Sequence, residues 1–216
     1  MKRHKLILIF VILTNLFACE PPATFSEPQP TDIENLSKFP KRLQGQYLNF
    51  ADNSTLLVSD KLIQRIYDYD YKVHLNQLDS TEQLSGDTII NIQTKEKILI
   101  KRQGDSLITH IHYIDTLFRM DYDNVVRKLK GYYFLNKRYD KTSWEVKKIQ
   151  LTNGQLILST ISTKIDIENL MEITETPQDT VSPYNFTATK KQFKEFIKND
   201  GFSDSEIFVR LNENGL

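Results

Sequence analysis

Tyr67-Asp68-Tyr69-Asp70-Tyr71-Lys72-Val73-His74-Leu75-Asn76 is the stretch that decides the fold class of this 216-residue chain. Apolar and polar residues alternate over ten positions, and successive side chains of a β-strand point to opposite sides of a sheet. The spacing predicts a strand. Tyr67, Tyr69, Tyr71, Val73 and Leu75 are expected on a buried face, and Asp68, Asp70, Lys72, His74 and Asn76 on a wet one.

Further strand-like segments lie around it at short intervals, over 46–50, 55–59, 88–93, 97–101 and 106–114. Between them stand Asp52-Asn53, Ser85-Gly86-Asp87, Gly104-Asp105 and Asn153-Gly154, whose residues tolerate the positive φ angles of tight hairpins. After Asn153-Gly154, Leu156-Ile157-Leu158 is placed to pair back onto 144–151. The economical architecture is mainly β: an antiparallel meander, as a barrel or as two sheets. Near the end of the chain the period changes. Thr189 and Gln192 have capping-box spacing, Phe193, Phe196 and Ile197 share a helical face, and Gly201 follows as a terminator. One C-terminal helix is expected to dock on the sheet.

Two fragments repeat. Leu43-x-Gly45-x-Tyr47 followed by Asn49 recurs as Leu129-x-Gly131-x-Tyr133 followed by Asn136, and Lys72-Val73-x-Leu75-x-x-Leu78 recurs as Lys164-Ile165-x-Ile167-x-x-Leu170. Either the chain carries two tandem halves, 41–125 and 126–216, or an Ile/Leu-rich sequence repeats by chance.

The N-terminus has a different logic. Lys2, Arg3, His4 and Lys5 precede an apolar run from Leu6 to Leu13, and the segment closes on Leu16-Phe17-Ala18-Cys19. A basic head, a short apolar middle and a small residue at the cut describe a secretory signal. A bilayer span needs about 20 apolar residues, and this run stops at Thr14 and Asn15. The closing tetrad resembles the lipobox of bacterial lipoproteins, with Phe17 bulkier than the residue usual there. That resemblance implies a signal peptide at 1–18, lipid attachment at Cys19 through a thioether-linked diacylglycerol, and palmitate-type chains holding the protein to an envelope membrane. Each buried methylene contributes about 0.8 kcal/mol, so two or three chains hold where one does not. Glu20 stands where an aspartate favours inner-membrane retention in some bacteria, which points to the outer membrane. Cys19 is the only cysteine, so no disulfide is expected.

Residues 20–40 contain Pro21, Pro22, Pro28, Pro30 and Pro40, five of the seven prolines. Residues 19–40 are accordingly expected to be a lipidated tether, reaching about 60 Å if polyproline-like, ahead of a β-rich globular domain at 41–216. Within the tether Thr31 and Glu34 have capping-box spacing before Leu36, compatible with a short helix or with a disordered linker. Loss of Lys2, Arg3 and Lys5 with the signal leaves 25 basic against 28 acidic side chains, a net charge of −3. Such a balance does not favour nucleic acid.

No nucleophile elbow, zinc-protease helix, phosphate loop, dinucleotide fingerprint or Cys-x-x-Cys pair is present. His110 and His112 are the best metal candidates, because residues two apart on a strand point the same way, and a third ligand is sought in Asp115 or His74. The same spacing also fits a half-buried face shared with Ile108 and Ile114. Asp121, Asp123 and Asn124 begin like a calcium loop but lack its later glycine and glutamate. Asp79-Ser80-Thr81, Asp87-Thr88-Ile89, Asp105-Ser106-Leu107, Asp115-Thr116-Leu117 and Asp179-Thr180-Val181 resemble an O-glycosylation triplet of some Gram-negative envelope proteins, and equally fit turns entering strands. The irregular loop 174–189, with Tyr184 and Phe186, offers aromatics to a partner.

These features favour a non-enzymatic, membrane-tethered envelope lipoprotein that binds a macromolecular partner, such as an envelope protein, or a surface component. No catalytic residue, metal or cofactor is assigned. The Gly-x-Tyr openings resemble the Gly-x-Trp of lipocalin-type barrels, which implies an up-and-down antiparallel architecture. The alternative function is a lipocalin-like carrier of a small apolar ligand.

Overall fold

The computed structural model describes residues 20–177 and 182–211. The signal segment 1–18, Cys19 and the Asp179-Thr180-Val181 triplet lie outside the described residues. The chain forms a mainly β, mostly antiparallel fold. In order its elements are β1 (Ala23–Phe25), β2 (Gly45–Leu48), β3 (Thr55–Val58), β4 (Leu62–His74), β5 (Glu82–Ser85), β6 (Thr88–Asn91), β7 (Lys97–Leu99), β8 (Lys101–Gln103), β9 (Ser106–Arg119), β10 (Val125–Leu129), β11 (Tyr132–Arg138), β12 (Trp144–Thr152), β13 (Gln155–Thr160), α1 (Lys164–Thr174), β14 (Tyr184–Phe186), α2 (Lys190–Lys198) and β15 (Asp204–Arg210). The expected hairpins are present: Asn53, Gly86, Gly104, Asn153 and Gly154 all take positive φ, the conformation a tight turn demands.

The main sheet runs β10-β11-β12-β13-β15-β2-β3-β4-β9-β8, every neighbour antiparallel. Two meanders are thus joined by the last strand, β15, which lies between β13 and β2. The sheet curls. Val126 of β10 and Phe118 of β9, far apart along the strand order, share one interior with Tyr47, Leu56, Ile63, Tyr133, Ile149, Leu156 and Phe208. Among the described residues β10 and β9 do not pair, and no closed barrel is formed. Residues 36–39 cross the gap instead, with Leu36 N–H donating to Val126 O (2.8 Å) and Phe39 N–H to Asp60 O (2.7 Å).

A second core covers the outer face of β11 and β12. Phe134 and Val146 meet Phe25 of β1, Ile167 and Leu170 of α1, Phe186 of β14, Phe193 and Phe196 of α2, and Phe202. The Thr189–Gln192 capping box of α2 is formed as expected, and Phe193 and Phe196 are fully buried. Gly201 has a different reason to be glycine from the one expected. It does not take positive φ; Asp200 and Phe202 do. A Cβ at Gly201 would lie 2.5 Å from the Phe196 ring, so the residue is required by close approach.

Several expectations are corrected. The proline-rich stretch is not a free tether, since Ala23–Phe25 pairs in parallel with β14 and meets β12 at Trp144. Phe25 and Phe39 are fully buried. The Asn136 side chain, itself buried, accepts from Gln29 N–H and donates to Gln29 O (2.8 Å). Prolines limit helix and central-strand structure, but they leave a chain free to lie on a surface once its aromatics find a core. Thr31–Glu34 starts no helix.

A helix not foreseen, α1, occupies Lys164–Thr174 with Thr163 accepting from Asp166 N–H as its N-cap. Its counterpart in the supposed repeat, Lys72–Leu78, is strand running into a short 3-10 turn at Leu75–Gln77, so that fragment of the repeat is not structural. The other fragment shares only the setting of its tyrosines. Tyr47 and Tyr133 are both buried in the interior, each with an arginine on its hydroxyl, Arg210 (2.6 Å) and Arg42 (2.7 Å). The aromatics of loop 174–189 are also not free for a partner: Tyr184 and Phe186 form β14, and Phe186 is fully buried.

Candidate functional site: the exposed β4–β9 arm

β4 and β9 are the longest strands, and most of their length extends beyond the body. β3 stops pairing with β4 at Thr55↔Ile66, and β8 pairs with β9 only from Ser106 to Ile108. Between those limits β4 and β9 form a two-stranded ribbon. At its far end Val73, Leu75 and Leu107 meet the small β5-β6-β7 sheet through Ile89 and Ile100.

At the root, a bulge between Ile63 and Gln64 places Leu117 as an extra residue on β9, which increases local twist and redirects a strand. Arg65 reaches across the concave side to Glu206 of β15 and stacks over the Phe208 ring at 5.3 Å. Burial disfavours its charge, yet contacts with Tyr67 and Glu206 outweigh that and hold the guanidinium above its usual range.

The register sorts the arm into two faces, because directly opposed residues of an antiparallel pair share a side. One face carries Tyr67↔Tyr113, Tyr69↔Ile111 and Tyr71↔Thr109. The Tyr67 and Tyr113 rings stack at 6.2 Å. This is the face expected to be buried, and only its far end is, where Val73 and Leu75 pack against Ile89, Ile100 and Leu107; Tyr71 is 52% and Tyr113 59% exposed. The period of two is real, but periodicity only separates two faces and does not supply an element to cover either.

The other face carries Asp68↔His112 and Asp70↔His110. His110 Nδ1 lies 3.1 Å from Asp70 and its Nε2 3.3 Å from Asp68, while His112 Nδ1 lies 3.0 Å from Asp68. The two histidines do share a side, but neither suggested third ligand joins them. Asp115 opposes Arg65 on the tyrosine side, and His74 caps the 3-10 turn, accepting from Asn76 N–H. Among the described residues no group of three or more His, Cys, Asp or Glu is arranged to hold a metal ion. Asp121 is occupied by its own turn, accepting from the N–H groups of Asp123 (2.9 Å) and Asn124 (2.8 Å).

Of the triplets, Asp87-Thr88 and Asp105-Ser106 stand at hairpin turns, as strand-entering turns would. Asp115-Thr116 lies within β9 beside the bulge. Residue by residue the two strands of the arm look like any others. Their length was the available signal: thirteen and fourteen residues against about five or six in an ordinary strand.

Tyrosine offers a large apolar ring with a polar tip, the type of side chain enriched at protein interfaces. No family model, curated protein or solved structure matches the chain.

Proposed function

We propose that the protein is a non-enzymatic envelope lipoprotein, fixed by acyl chains on Cys19 to the outer membrane, that binds a macromolecular partner through the tyrosine face of the β4–β9 arm. The observation that carries the reading is the row of exposed Tyr69, Tyr71 and Tyr113 beside half-buried Tyr67 and Ile111, which no other element covers among the described residues. A two-stranded ribbon is marginal in water, and apolar surface laid out on one without a cover gains free energy when a partner excludes water from it.

Only Glu20, Pro21 and Pro22 separate Cys19 from β1, a reach of about 10 Å. On this reading the body rides close to the bilayer and the arm supplies the reach that a tether would have given. The carrier alternative has little support. Tyr47, Tyr133 and Phe208 help fill the interior, and the cavity beside Leu56, Ile63, Leu135 and Ile149 measures about 20 Å³, room for about one water.

Chemical crosslinking of the lipidated protein in its native membranes tests the reading. The double variant Tyr69→Ser/Tyr71→Ser is expected to lose its crosslinked partner while keeping its thermal midpoint and its membrane fractionation. An unchanged crosslinking pattern would refute the arm as the contact surface. Separately, Cys19→Ser is expected to release the protein from membranes, and full retention would refute the anchor.

A further inference from the structure

The arm has a second unsatisfied feature: its edge. Backbone bonding along β4 is fixed by three hydrogen bonds at its ends. Ser59 N–H donates to Leu62 O (2.9 Å), toward β3, whereas Met120 N–H donates to Lys61 O (2.8 Å) and Leu75 N–H donates to Asp105 O (2.9 Å), both toward β9. Bonding direction alternates along a strand, so even-numbered residues of β4 turn their N–H and C=O toward the β3 side. Beyond Ile66 that side has no strand among the described residues. Asp68, Asp70, Lys72 and His74 therefore present free backbone groups, apart from His74 N–H, which donates to Gln77 Oε1 (2.9 Å). An open edge of this kind is a template for another strand, and its charges, Asp68, Asp70 and Lys72, restrict which strand fits.

We infer that the strand which completes this edge is β4 of a second copy of the same chain, paired antiparallel about a two-fold axis at Tyr71. Two independent features select that register. The open window runs from Asp68, just past the end of β3, to His74, just before the 3-10 turn, and Tyr71 is its midpoint. Only there does no charge face its like across the seam. With Tyr71 opposite itself, Asp70 faces Lys72 of the second copy and Asp68 faces His74, twice each by symmetry. Sliding the copies by one two-residue step places Asp70 against Asp70 in one direction or Lys72 against Lys72 in the other.

In the chosen register Asp70 and Lys72 exchange both backbone hydrogen bonds across the axis, as directly opposed even residues must. The two ribbons become one four-stranded sheet, with the tyrosine faces of both copies on the same side. A two-fold interface is isologous and closes on itself, so the β4 edge takes one second copy and no more. The inference depends neither on the anchor nor on the identity of any other partner.

Single cysteines introduced on the arm of the full chain test the register, with the unsubstituted chain as the control for Cys19. Across the axis, Tyr71 and its symmetry mate form a non-hydrogen-bonded pair with Cα atoms about 4.5 Å apart, within disulfide range. Under mild oxidation Tyr71→Cys is expected to give a disulfide-linked dimer on non-reducing gels, and Tyr69→Cys, whose mate is Val73, is not. Adding Lys72→Asp to Tyr71→Cys sets Asp against Asp twice and should weaken dimerisation about ten-fold. Exchanging the charges, Asp70→Lys with Lys72→Asp, should restore it. Sedimentation equilibrium of the protein lacking introduced cysteines should show a reversible dimer with the same order of variants. The inference is overturned by a strictly monomeric protein, by equal crosslinking at positions 69 and 71, by a charge exchange that does not restore the dimer, or by an open-ended series of oligomers.

Discussion

Phe25→Ala separates a proline-rich spacer from a segment built into the fold. In a free tether the change would leave stability untouched. In this structure Phe25 is fully buried, with its ring 5.8 Å from Phe193 at an edge-on angle and 6.1 Å from Phe186. Truncating a buried phenylalanine costs about 3–5 kcal/mol through lost transfer energy and the cavity left behind. Loss of the ring contacts is part of that cost, and the neighbours, held by α2 and β14, have little freedom to collapse into the space.

For a chain of this length each kcal/mol lowers the thermal midpoint by about 2–4 °C, so a drop of roughly 6–20 °C is expected. Urea unfolding of the full mature protein should show the same loss as a lower midpoint at unchanged slope. Glu27→Ala, two residues on and exposed, is the control and should stay within about 0.5 kcal/mol. A Phe25→Ala loss below about 1 kcal/mol would refute the packing of the N-terminal segment and return it to the role of a spacer.

Gly201→Ala should destabilise by about 1–3 kcal/mol, because the new methyl meets a Phe196 ring already held by Phe193 and Phe202; unchanged urea unfolding would contradict it. Burial raises the Tyr47 hydroxyl above its usual range although Arg210 opposes the shift. The stability this confers is fully present below about pH 10, the unfolded-state value, and is lost as pH climbs toward the folded one. Tyr47→Phe should therefore be less stable than the parent near pH 8, having lost the bonds to Leu43 and Arg210. The gap should narrow above pH 10, and a constant gap in urea melts would refute the assignment.

Strands β2, β3, β4, β6, β7, β9, β12 and β13, their hairpins and the capped helix α2 were legible because each is a short-range matter: a period of two, a residue pair that tolerates positive φ, a threonine three residues before a glutamine. Helix α1 was missed for a related reason. Ile165, Ile167 and Leu170 match the spacing around Val73, Leu75 and Leu78 closely enough that similarity of letters outweighed the helical signal of Thr163 and the Leu170-Met171 pair. The sheet order was not legible. No local signal places β15 between β13 and β2, because that pairing joins residues separated by most of the chain.

That Tyr67, Tyr69 and Tyr71 lie on one side of a strand and Asp68 and Asp70 on the other is written in the order of the residues, since alternation follows from backbone geometry alone. That the middle of the arm is left open on both sides among the described residues, while Phe25, amid prolines, is enclosed, emerges only when the chain folds. Burial is a relation between distant segments. It depends on which surfaces the folded chain brings together, and that information is carried by no single stretch of residues.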